Sequence, residues 1–99
     1  MDSFILSKKA LEDLSKIWDY TVDVWSESQA DKYYFLILNA CESLGKGVIA
    51  GKPYPAVHAD LHGLAIGQHI IFYRKLKNGK IEVARILHSR MDLRNRLYE

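Results

Sequence analysis

The chain has 99 residues, 48% of them hydrophobic and 26% charged, with two prolines, six glycines and one cysteine. That is the composition of one small globular domain spanning 1–99; it excludes a two-domain enzyme and is too apolar for a disordered tail. The net charge of +2 hides an asymmetry: residues 1–45 carry 4 basic and 8 acidic side chains (−4), residues 46–99 carry 10 and 4 (+6), so the C-terminal half is the one that can meet an acidic partner.

The opening Met1-Asp2-Ser3-Phe4 has no basic-then-apolar leader, and no apolar run approaches the roughly 20 residues that a bilayer crossing needs, so a cytoplasmic protein with no membrane partner is expected. Ser3 to Leu6 reads as a short strand. Ser7 offers a side-chain oxygen to cap a helix starting at Lys8, in which Leu11, Leu14, Trp18, Thr21/Val22 and Trp25 recur at three- and four-residue spacing, widened by Ala10, Ile17 and Val24. Ser26-Glu-Ser-Gln29 has the form of a capping box and predicts a second helix with Ala30, Tyr33, Ile37, Ala40/Cys41 and Leu44 on one face, ended by Gly45. So short a break folds the two helices into an antiparallel hairpin. Cys41 sits in the apolar stripe and has no disulfide partner, which makes it a small buried hydrophobe.

From Lys46 to Asp60 the glycines and Lys52-Pro-Tyr-Pro55 predict an irregular loop. Beyond it the apolar period changes to two, giving strands over 61–66, 68–76 and 81–88. Asn78-Gly79 predicts a two-residue hairpin loop, because both residues accept the positive φ of a type I′ turn. That loop sets Lys75 opposite Glu82, Phe72 opposite Arg85 and Ile71 opposite Ile86, with Ile81 and Val83 on the Phe72 face. Ser89-Arg-Met-Asp92 is a further capping box and opens a short final helix carrying Leu93 and Leu97. The fold class is therefore α+β: an N-terminal strand, an antiparallel two-helix hairpin packed on an antiparallel sheet, and a short C-terminal helix.

No phosphate loop, nucleophile elbow or carboxylate pair appears, and no cofactor is expected. His58 and His62 lie in a loop entering a strand, without a third ligand at a recognised spacing, so no metal site is expected. His88, at the end of the last strand, either acts as a general acid or base or orients the turn into the final helix. Basic residues concentrate on the last hairpin and final helix. Arg85, placed beside Phe72, is expected to have a buried hydrogen-bonded partner, while the exposed cations suit phosphates or an acidic protein surface.

Arg85-Ile-Leu-His-Ser-Arg-Met-Asp92, preceded by Gly67-Gln-His-Ile-Ile-Phe-Tyr73, resembles the ParE branch of the RelE/ParE superfamily of bacterial type II toxins, as do Leu6-Ser7, Asp13-Leu14, Tyr20-Thr21, Trp25, Gln29-Ala30 and Tyr33 upstream. The resemblance covers nearly the whole chain and implies the same element order. It further implies a toxin that poisons DNA gyrase by binding, stabilises a plasmid or chromosome, and is neutralised by a ParD-like antitoxin. The alternative is the ribosome-dependent mRNA endonuclease of the RelE branch. That branch often has Arg where this sequence has Ile70, and a second catalytic Arg would fall near Met91. Removing those cations removes the groups that stabilise a pentavalent phosphate, so no catalytic residue is assigned, with His88, Arg90 and Tyr98 as the fallback set. Many ParE-like sequences carry Arg at the place of His62. Target-binding residues are then expected to be Arg85, His88, Arg90, Arg94 and Arg96, and antitoxin anchors Tyr20, Tyr34 and Tyr73, the antitoxin segment being acidic and amphipathic. Direct nucleic-acid binding is expected only in the endonuclease alternative.

Overall fold

The computed structural model describes residues 3–90. Its elements are β1 (Phe4–Leu6), α1 (Lys8–Val24), α2 (Glu27–Gly45), β2 (Lys52–Pro53), β3 (His62–Ile66), β4 (His69–Lys75) and β5 (Ile81–His88). The final helix expected after Ser89, with Arg94, Arg96 and Tyr98, lies outside the described residues. The sheet order is β1-β5-β4-β3-β2. β1 runs parallel to β5 and the other neighbours are antiparallel, so the sheet is mixed where an antiparallel one was expected. The helical hairpin carries the chain from β1 to β2 at the opposite edge of the sheet, and the antiparallel run β2 to β5 then returns to lay β5 parallel beside β1.

Both helix starts are as expected. Ser7 Oγ accepts the Ala10 N–H at 3.0 Å and Ser26 Oγ accepts the Gln29 N–H at 3.1 Å. α2 buries Ala30, Ile37, Ala40, Cys41 and Leu44. Burial pushes the Cys41 thiol up to about 12, which leaves it unreactive. α1 buries a narrower stripe than its sequence suggests: Ala10, Leu14 and Ile17 face the sheet, whereas Leu11, Val24 and Trp25 face outward. The left-handed residue after α2 is Gly47, not Gly45, whose Cα lies so close to Ser3 that no side chain fits. Inside the expected loop, Lys52 and Pro53 form a two-residue edge strand against Gly63 and His62. Proline is tolerated there because an edge strand has no outer neighbour for the missing N–H.

The β4–β5 hairpin departs from expectation in an instructive way. Its loop has three residues, not two: the Leu76 N–H donates to the Lys80 carbonyl at 2.8 Å, the Gly79 N–H donates back to Leu76, and only Gly79 has positive φ (+84°). Pairing therefore starts one residue out of the expected register, with Arg74 opposite Glu82 and Lys75 opposite Ile81. A bulge at Ala84 then restores it, so that Phe72 faces Arg85 and Ile71 faces Ile86 as expected. The offset moves Ile81 and Val83 onto the face of Tyr73 and Ile71. There they join Leu14, Ile17, Ile37 and Cys41 in the main core. The opposite face holds a second cluster of Leu61, Ile70, Phe72 and Leu87, roofed by Tyr54 and Val57 of the 54–61 loop.

The bulge also anchors α1. Ser7 Oγ donates to the Ala84 carbonyl at 2.7 Å, and the Ser7 N–H donates to Val83 at 3.0 Å. Past Val83, where β1 no longer covers β5, Asp13 Oδ2 accepts the Ile86 N–H at 3.0 Å. The strand edge is closed by side chains of α1 instead of by a further strand.

Candidate functional site

β4 begins and β5 ends with histidines that face each other, His69 and His88, their ring centroids 5.3 Å apart in an edge-on arrangement. The Trp25-Ser26 turn that joins α1 to α2 lies over them. Beneath the turn is a pocket of about 520 Å³, lined by Tyr20 and Val24 of α1, its C-cap residue Trp25, Tyr33 of α2, and the two histidines. Tyr33 closes its floor: its hydroxyl lies 2.6 Å from His69 Nδ1 and accepts the Gln68 N–H at 3.1 Å. The ring fits because Gly67, with φ +55°, has no side chain; a Cβ there would meet Tyr33 at 2.6 Å.

Burial, aided by the neighbouring charge of His88 and opposed by Asp13, holds His69 down at about 4, so at neutral pH its ring is uncharged, and the Tyr33 hydroxyl, with the Ile66 carbonyl also within 3.3 Å, shares one hydrogen bond with Nδ1. Burial raises the Tyr33 phenol against the lowering effect of the Gln68 amide. His88 Nδ1 accepts the Arg90 N–H at 3.1 Å, which leaves Nε2 to donate to Gln68 Oε1 at 3.3 Å. His88 thus ties the end of β5 to the β3–β4 turn.

The expected site residues separate into two groups. Tyr20 is 67% exposed at the pocket rim, His88 lines the pocket, and Arg90 is exposed beside it. Tyr34 is half-buried, edge-on to Phe35. Two others have their polar groups engaged inside the fold. Arg85, expected at a target interface, forms a bidentate pair with Asp13 (Nε–Oδ2 2.8 Å, Nη2–Oδ1 3.0 Å), and both side chains are only 11% exposed. Tyr73, expected as an antitoxin anchor, is 2% exposed and its hydroxyl accepts the Gly51 N–H at 2.8 Å. Both are held by the fold. His58 and His62 do not converge: His58 accepts the Asp60 N–H in the loop, whereas His62 stacks near Tyr73 on the sheet.

A family model described as the ParE toxin of the type II toxin-antitoxin system parDE matches residues 4–93. The chain belongs to the ParE toxin family. Relatives in the family include a Toxin ParE1 of Mycobacterium tuberculosis (strain CDC 1551 / Oshkosh), 33% identical over 91% of this chain and 92% of its own length. A Toxin ParE1 of Caulobacter vibrioides is 31% identical over 98% of this chain and 99% of its own. Among solved structures, a chain of the chromosomal ParDE system from P. aeruginosa superposes with a TM-score of 0.73 over 86% of this chain and 92% of that one; at 22% identity the likeness is one of fold.

Within this ParE fold, sequence reading missed Tyr33, Gln68 and His69 as a unit. The signal was present, since the register that pairs Ile71 with Ile86 also pairs His69 with His88 two residues on. The tie to Tyr33 had no local signal, because α2 and the β3–β4 turn are 33 residues apart.

Proposed function

We propose that this ParE-family toxin acts by binding DNA gyrase, not by cutting RNA, and that a ParD-like antitoxin neutralises it in the cytoplasm. One observation carries the choice between mechanisms. Ile70, at the position where the resembling ribonuclease branch often has Arg, is 7% exposed and packed among Leu61, Phe72 and Leu87. The four buried side chains of that cluster supply no cation to set against a developing pentavalent phosphate. His88, the fallback acid or base, is engaged with Gln68 and the Arg90 amide. The target-binding set is His88, Arg90, Arg94 and Arg96. The antitoxin reading draws support from the parDE description of the family and from the large exposed apolar side chains Tyr20, Val24 and Trp25 around an open pocket. Tyr20 and Tyr34 are its proposed anchors. No helix among the described residues is long and apolar enough to cross a membrane.

The test is a pair of assays on the full chain. Gyrase supercoiling should fall, or cleaved DNA accumulate, while mRNA on translating ribosomes stays intact. Site-specific mRNA cuts that vanish in His88→Ala would establish the endonuclease alternative instead.

A further inference from the structure

On the side of β5 away from the histidine pocket, a groove of about 480 Å³ runs between the start of α1 and the 54–61 loop. Ser7, Lys8 and Lys9 form one wall, Val57 and Leu61 the other, and Ala84, Arg74 and Glu82 the sheet floor. The bulge creates it, because the small Ala84 is the extra residue and its carbonyl holds Ser7.

The charges of the groove do not balance. Arg85, at its inner end, is matched by Asp13. Arg74 shares Glu82 at 3.4 Å, with its side chain 49% exposed. Lys8 and Lys9 are exposed and make no ion pair among the described residues. They also stand in the first turn of a helix, where carboxylates are favoured and lysines are disfavoured; α2 obeys that rule with Glu27 and α1 has no acidic residue there. Neither folding nor packing accounts for two lysines at that place. Lys75, Lys77 and Lys80 extend the positive surface along the same hairpin end. The groove is lined by no Phe, Tyr or Trp, and its one aromatic ring, His58, is tied to the Asp60 N–H within the loop, so it offers no row of rings on which successive unstacked bases could lie.

We propose that this groove and hairpin end bind the phosphate backbone of duplex DNA, with Lys8, Lys9 and Arg74 taking phosphates and no base being read. The surface lies apart from the histidine pocket, and it engages DNA with or without gyrase present. Binding of this kind is weak, sequence-independent and driven by release of counterions, so it is read from its salt dependence.

The experiment is fluorescence anisotropy of a short labelled DNA duplex titrated with the full chain over a series of salt concentrations, without gyrase. The expected result is binding at low salt that falls on a straight log–log line. Lys8→Ala/Lys9→Ala should flatten its slope by about 1 to 2, at roughly 0.9 per phosphate contact, and weaken low-salt binding about tenfold. Lys16→Ala/Lys32→Ala removes the same charge from outside the groove and should leave the slope unchanged. Glu82→Gln, which frees Arg74, should tighten binding, a gain that misfolding cannot produce. Absence of salt-dependent binding, equal losses in the two lysine pairs, or single-stranded DNA bound as tightly as duplex would each overturn the proposal. Because gyrase is absent, these outcomes are independent of the gyrase reading.

Discussion

The two ends of α1 meet the same strand in opposite ways. At its start the helix is sealed onto β5: Ser7 holds both Val83 and Ala84, and Asp13 takes the Ile86 amide and the Arg85 guanidinium within one nearly buried carboxylate. At its end the helix lifts away, leaving Trp25 74% exposed and Tyr20 over an open pocket above His69 and His88. Charge that is matched and desolvated at the first end holds the fold, whereas apolar surface left uncovered at the second is available to another protein. Position along the chain does not distinguish the two: His88, three residues beyond Arg85 on the same strand, belongs to the open end while Arg85 belongs to the closed one.

Breaking the closed end should have the largest effect. Asp13→Ala leaves a cation in a nearly buried site and an unpaired strand amide, and should cost about 3 kcal/mol in chemical denaturation. At the open end, Gly67→Ala forces a β-carbon against the Tyr33 ring at positive φ and should cost about 2 kcal/mol, more than Tyr33→Phe at about 1 kcal/mol, which removes only the hydroxyl shared by Gln68 and His69. Acid sharpens the contrast. His69 is held near 4 when folded, against its ordinary 6.5 when unfolded, so its neutral form supports the fold fully above about pH 6.5 and that support is lost as pH falls to about 4. Partial exposure screens the loss to on the order of 1 kcal/mol. It should flatten in His69→Gln when midpoints are followed across that window. The smallest effect on stability, within about 0.5 kcal/mol, is expected for Tyr20→Ala, which should nonetheless weaken co-purification with the antitoxin.

The legible parts of this fold were those decided by neighbours in sequence. Ser7 and Ser26 cap as their spacing dictates, and α2 buries the face that its periodicity marks. The α1 stripe was read too wide, since counting apolar residues does not reveal which turns of the helix the sheet covers. Asn78-Gly79 announced a hairpin correctly, but the same dipeptide closes a two- or three-residue loop, and that single residue decides which face Ile81 and Val83 take. Arg85 was recognised as misplaced for a surface cation, yet its partner lies 72 residues away on another element, where no local pattern names it.

Inhibition of gyrase supercoiling by a folded Arg90→Ala/Arg94→Ala/Arg96→Ala variant tests the division most directly. The variant should keep the thermal midpoint of the parent protein, since the Asp13–Arg85 closure is intact, but should no longer inhibit supercoiling at concentrations where the parent does. Undiminished inhibition by that variant would contradict the assignment of the target-binding surface to the basic stretch beyond β5.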